Sequence, residues 1–145
     1  MKLLIVNLLG MLVSAQVFAT EITPERLIGR YTADARVLFQ KVHLRLRVLT
    51  TKQFQVQRVF SNGSTGEICD GTFTMTAVTF TFEEIFAIGQ VFRGVATCPS
   101  NRSENLTFNL QLIDKTMEDL ESGTNVSLTT SLVPGRIDAY VKKQP

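Results

Sequence analysis

The sequence predicts an all-β domain: an antiparallel meander of about eight to ten short strands, closed into a small barrel, with a two-sheet β-sandwich as the alternative architecture. Three observations lead there. Apolar and polar residues alternate with a period of two through most of the chain from residue 27 onward. Clusters of Gly, Asn, Ser and Pro interrupt that alternation at short intervals, and no segment carries a long helical periodicity. A period of two with one apolar face describes half-buried antiparallel strands. A meander of them leaves two unpaired edges, which closure removes. With 145 residues and a net charge of +2, there is material for one domain with a real core. A content of 44% hydrophobic and 19% charged residues is too apolar for disorder and unlike a coiled coil.

The elements follow in order along the chain. Met1 and Lys2 precede an apolar run over residues 3–13, and Val17 and Ala19 stand at the −3 and −1 positions of a signal-peptidase site. The expected division is a cleaved signal peptide at 1–19 and a single β-barrel domain at 20–145. The apolar run is shorter than the roughly 20 residues that span a bilayer as a helix. No Cys follows the site, so the expectation is a secreted or periplasmic protein that is soluble and not a lipoprotein. Alternating runs then start at Tyr31 (to Phe39), Val42 (to Val48), Phe54 (to Phe60) and Cys69 (to Met75), followed by Val78, Phe80 and Phe82. Later runs start at Leu106, Val126 and Ile137. Residues 61–66, SNGSTG, supply the positive-φ positions of a hairpin loop. The parity slip between Met75 and Val78 predicts a tight turn or bulge. Residues 85–98 show no clean face and predict a strand buried on both sides. Residues 114–122 read as a short strand or one helical turn, capped by Asp114 and stopped at Gly123. An outer-membrane barrel would want longer strands and aromatic girdles, and Tyr is scarce here.

Cys69 and Cys98 are the only cysteines. In an oxidising compartment they pair, closing a loop of about 30 residues for roughly 3–4 kcal/mol. Their spacing is not that of a redox dithiol, and the one histidine lies far away in sequence.

Catalytic material is thin. His43 sits on the polar face of its strand with no companion nucleophile or carboxylate in a motif. Glu83 and Glu84 are adjacent on a strand and so face opposite ways, unlike glycosidase carboxylates. Glu118, Asp119 and Glu121 lack calcium-loop spacing and read as a solvated acidic turn. There is no nucleophile elbow, zinc motif, phosphate loop or dinucleotide fingerprint. The expectation is a protein that is not an enzyme and has no cofactor or metal.

Charge is distributed unevenly. Residues 26–58 hold Arg26, Arg30, Arg36, Lys41, Arg45, Arg47, Lys52 and Arg58 against one acid, Asp34. If the first two strands pair, Arg30, Arg36, Arg45 and Arg47 form a basic outer patch with His43 among them, able to attract an anionic partner. The ordinary outcome is that opposite-sign strands meet at closure and neutralise one another. Nucleic acid is a poor match for an exported chain of near-neutral charge without aromatic interleaving. Arg58 is different, because its parity puts it on the apolar face with Phe54, Val56 and Phe60. Such a charge needs a partner or an exit; it sits at a barrel mouth, holds an anionic head group, or snorkels to solvent.

The segment Leu27-Ile28-Gly29-Arg30-Tyr31 resembles the Gly-x-Trp opening of the first strand in lipocalin-like (calycin) β-barrels, with Tyr31 in place of Trp. The resemblance implies a barrel holding a small apolar ligand, with Tyr31 at the ligand site and a basic residue near the last strand, Arg136, against its ring.

Two functions therefore stand side by side: an exported barrel binding a small apolar or amphipathic ligand, and an interaction module whose partner is another exported protein, such as an inhibitor of a secreted or periplasmic hydrolase. A core packed with Phe39, Phe54, Phe73, Phe80 and Phe108 would leave no room for a ligand. A void beside Ala33, Ala35, Gly94 and Ala96 would provide it. Intact-mass measurement of the exported protein is expected to show a chain starting at Thr20 and lighter by two hydrogens than its reduced form; retention of residues 1–19 would refute the export reading.

Overall fold

The computed structural model describes residues 19–82 and 85–145; the segment 1–18 and Glu83 and Glu84 lie outside the described residues. Eight strands run in sequence: β1 (Gly29–Val37), β2 (Gln40–Val48), β3 (Gln53–Val59), β4 (Thr65–Phe82), β5 (Ile85–Cys98), β6 (Asn101–Gln111), β7 (Thr124–Thr130) and β8 (Val133–Lys143). Each pairs antiparallel with the next, and β8 returns to β1, with Tyr31 opposite Lys143 and Ala35 opposite Ala139. The sheet is a closed barrel, which decides against the sandwich. Two short helices, α1 (Pro24–Leu27) and α2 (Met117–Ser122), lie at the end where β1 starts and β8 finishes. The β1–β2, β3–β4, β5–β6 and β7–β8 connections all lie at the opposite, open end.

Alternation carries through to burial. Tyr31, Ala33 and Ala35 of β1, Phe54 and Val56 of β3, and Ala139 and Val141 of β8 are buried, while their odd-numbered or even-numbered neighbours face solvent. One half of the interior is filled by rings. Phe54 meets Phe73, Phe92 and Phe108 edge-on at centroid distances of 6.4, 5.6 and 6.5 Å, and Phe73 stacks on Phe92 at 4.7 Å. These rings fit because small residues stand opposite them in the ladder: Phe54 faces Gly71, and Gly94 lies between Phe73 and Phe108. The disulfide Cys69–Cys98 forms as expected and ties together the open-end extremities of the β4–β5 hairpin.

The helices are capped by side chains. Thr116 accepts from the Asp119 amide while Asp119 accepts from the Thr116 amide, a capping box at the start of α2. Thr23 caps α1.

Several expectations are corrected. The first strand stops at Val37. Leu38 and Phe39 make the two-residue turn to β2, with Leu38 at φ 56°, so Phe39 is exposed rather than interior. No turn or bulge follows Met75, because β4 runs unbroken to Phe82 and pairs with β5 throughout. Its pairing with β3 begins at Thr72 opposite Gln53, so the later part of β4 and the start of β5 project beyond the barrel wall as a two-stranded ribbon. From Phe92 to Ala96 the strand alternates, with Phe92, Gly94 and Ala96 buried and Arg93 and Val95 exposed, so this part of β5 is not buried on both sides as the sequence led us to expect. The helical reading of 114–122 holds, and Gly123 ends it, but the cap is Thr116 instead of Asp114. Phe80 falls on a stretch whose side chains are not described.

A Cβ on Gly71 would lie 2.7 Å from the Val95 carbonyl oxygen and press on the Phe54 ring. Backbone on one side leaves little room to yield. Gly71→Ala is expected to lower unfolding free energy by roughly 1–3 kcal/mol in denaturant titration.

Candidate ligand site in the barrel

Small residues on the wall facing the rings leave space between the two. Ala33 and Ala35 on β1 and Ala139 on β8 leave a cavity of about 70 Å³, walled by Leu44, Leu46, Leu110 and Leu128. Every side chain lining it is apolar except for the Tyr31 hydroxyl. Of the small residues expected to leave room, Ala33 and Ala35 do so. Gly94 instead accommodates Phe rings, and Ala96 does not line the cavity.

Tyr31 is part of the floor, at the helix end. Its hydroxyl donates to the Leu27 carbonyl at 2.7 Å, which turns the polar atom away from the cavity and leaves the ring as lining. Burial, reinforced by the Glu121 carboxylate, raises the Tyr31 phenol far above its ordinary value. Lys143 places Nζ 5.9 Å from the Tyr31 ring centroid and donates to the Arg26 carbonyl at 3.1 Å. A cation does lie against the ring that opens β1, but it is Lys143. Arg136 pairs with Thr129 near the open end of β8, at the far end of the barrel from Tyr31, which corrects that assignment. The signal was present: Lys143 continues the inward parity of Ala139 and Val141.

Above the cavity a second chamber of about 490 Å³ opens at the strand ends, sharing Ala35, Leu44, Phe108 and Leu128 with the first. Arg58 lines it. It keeps the inward parity read from the sequence, opposite Leu44, but it is solvent-exposed because β3 ends one residue later. Its guanidinium carbon lies 4.9 Å from the Phe60 ring centroid. Among the described residues no carboxylate forms an ion pair with it. Arg58 and Tyr31 therefore do not meet; they mark the mouth and the floor of one apolar interior.

The basic outer patch is also real. Arg30 stands opposite Arg47, Thr32 opposite Arg45, and Arg36 opposite Lys41, all four arginines exposed. Arg30, Arg45 and Arg47 flank an outer groove with Gln55 and Gln57. The expected neutralisation across the closing strands does not occur. Among the described residues the one ion pair is His43 Nδ1 with Asp34 Oδ1, within the β1–β2 hairpin. The ladder neighbours of that pair are Val59 and Tyr140, so no serine or cysteine adjoins it there. Two of the acidic residues of α2, Glu118 and Asp119, are used structurally. Asp119 caps, and Glu118 accepts from the Thr20 amide at 3.0 and 3.2 Å and from its hydroxyl at 2.6 Å. Those bonds hold the Glu118 carboxyl at about 2.

Comparison with protein-family models, with curated proteins and with solved structures finds no match for this chain.

Replacing Tyr31 by Phe leaves the Leu27 carbonyl without its donor and is expected to cost about 1–3 kcal/mol of stability. The pH dependence has a definite sign. The folded phenol is raised above the unfolded value of 10.0, so the contribution is complete below that value and is lost as pH rises past it. Denaturant titrations should show stability falling more steeply above pH 10 in the parent than in Tyr31→Phe.

Proposed function

We propose that this chain is a non-enzymatic binding barrel that works outside the cytoplasm and takes a small apolar or amphipathic ligand. The carrying observation is the pairing of an apolar inner cavity with Arg58, the guanidinium that lines the chamber above it. An aliphatic tail would lie beside Ala33, Ala35 and Ala139, where burial of each methylene contributes about 0.8 kcal/mol. A carboxylate head would meet Arg58, for which a charge-assisted bond is the strong option. The upper chamber, about 490 Å³, falls in the size range of small-molecule sites. Kinship with lipocalin-like barrels is supported by the eight-stranded closed meander and by the Lys143 cation against the Tyr31 ring. The disulfide supports an oxidising compartment.

A second reading is an interaction module, such as an inhibitor of a secreted or periplasmic hydrolase. The unneutralised outer face of Arg30, Arg45 and Arg47 favours it, because such a field attracts an acidic protein surface.

Native mass spectrometry of protein purified gently from its host is expected to show an added mass of a few hundred daltons that denaturation removes. For a defined probe, a fluorescent long-chain fatty acid should bind and be displaced by unlabelled fatty acid. Ala35→Trp, which fills the passage between the two chambers, should abolish that binding without unfolding the barrel. Arg58→Gln should weaken the fatty acid by about tenfold or more and leave the corresponding alcohol unchanged. A clean apo mass together with no probe binding would reject the ligand reading in favour of the interaction module.

A further inference from the structure

The open end carries more exposed apolar surface than a ligand entrance requires. Leu38 and Phe39 in the β1–β2 turn are 83% and 101% exposed, Leu132 in the β7–β8 turn is 61% exposed, and Phe60 after β3 is 41% exposed. All four lie on loops at one end of the barrel, around the chamber that Phe60 and Leu132 help to line. Leu38 adopts φ 56°, a conformation that a leucine rarely takes and that a glycine would adopt without strain. The turn thus presents two large apolar side chains to solvent where small polar residues are usual.

Behind these tips stands a basic collar. Within four residues of the strand ends at this rim are Arg36, Lys41, Arg58, Arg102 and Arg136, all exposed. These five cations outnumber the acids in the same zone, Asp34, Glu67 and Glu104, of which Asp34 is paired with His43. Apolar tips ahead of a ring of cations match the layering of an anionic bilayer, in which the hydrocarbon lies beneath negative head groups.

We propose that the open end docks on an anionic lipid surface, with Leu38, Phe39, Phe60 and Leu132 entering the interface and the collar lying at head-group level. Charge decides between this and a second copy of the chain. A two-fold dimer through the rim would press one basic collar against another. On a bilayer the same cations are attracted, and the mouth of the barrel opens directly against the acyl chains. Docking through the rim does not depend on what the interior binds.

The chain has no Trp, so Phe39→Trp makes a single reporter at the tip. In the exported protein its emission should shift to the blue with vesicles of phosphatidylglycerol and phosphatidylcholine, and much less with phosphatidylcholine alone. Cosedimentation with the anionic vesicles should weaken about tenfold or more in the double variant L38S/F39S, and in R36E/K41E, with circular dichroism and melting of both variants unchanged. Added salt should weaken it as well. Absence of anionic-vesicle binding in the parent, binding unaltered by L38S/F39S, or a solution dimer that this variant dissolves without any vesicle binding would each overturn the proposal. Because parent and variants share the same N-terminus, residues preceding the barrel do not contribute to the difference. Loss of fatty-acid binding by Ala35→Trp is a separate outcome and leaves this result untouched.

Discussion

Closure of the sheet through β1 and β8 is the constraint on which everything else depends. Five residue pairs, from Tyr31–Lys143 to Ala35–Ala139, join the first and last strands of the meander into a closed wall. They also fix an inside. An eight-stranded barrel encloses a space that side chains are just able to fill, so whether any room remains is decided by side-chain size. Here the seam itself carries the small residues. Ala33, Ala35 and Ala139 let β1 and β8 close and leave space between the seam and the ring cluster on the far wall. The interaction that completes the fold also creates the cavity.

The two ends then take different characters from simple chemistry. The end holding Tyr31 is plugged by apolar side chains from the short helices, among them Leu27, Met117 and Leu120, all buried. The polar atoms around the plug are satisfied by capping threonines, by the Tyr31 hydroxyl bond and by Lys143 reaching the Arg26 carbonyl. Among the described residues no helix covers the other end, and its tight turns carry leucine and phenylalanine. The rings of Phe54, Phe73, Phe92 and Phe108 lie between, and they supply rigidity to a wall whose opposite side is thinly packed. Stability and vacancy are thus assigned to different strands.

Much of this was legible in the sequence because period two is a strong signal. The strand succession, the Cys69–Cys98 pair, the inward parity of Arg58 and the shared face of Arg30, Arg36, Arg45 and Arg47 all follow from alternation and spacing. What alternation cannot show is where a strand leaves the barrel. Met75 and Val78 lie on one unbroken strand, and in the sequence the slip in parity between them was indistinguishable from a bulge. Phe39 continued the pattern of β1 by coincidence and sits in a turn that residue preference would not place there. Arg136 and Lys143 were both basic residues on the last strand. Choosing between them required knowing which end of β8 meets Tyr31, and that follows only from the closing register.

The contact between Glu118 and Thr20 has a consequence at the start of the domain. The carboxylate reaches the Thr20 main-chain nitrogen with both oxygens, and Thr20 in turn accepts the Met117 amide at 2.9 Å. In the full-length chain that nitrogen is an uncharged peptide amide. Thr20 is held to α2 through its amide, its hydroxyl and its carbonyl, so the chain is anchored to the plug before the first strand begins.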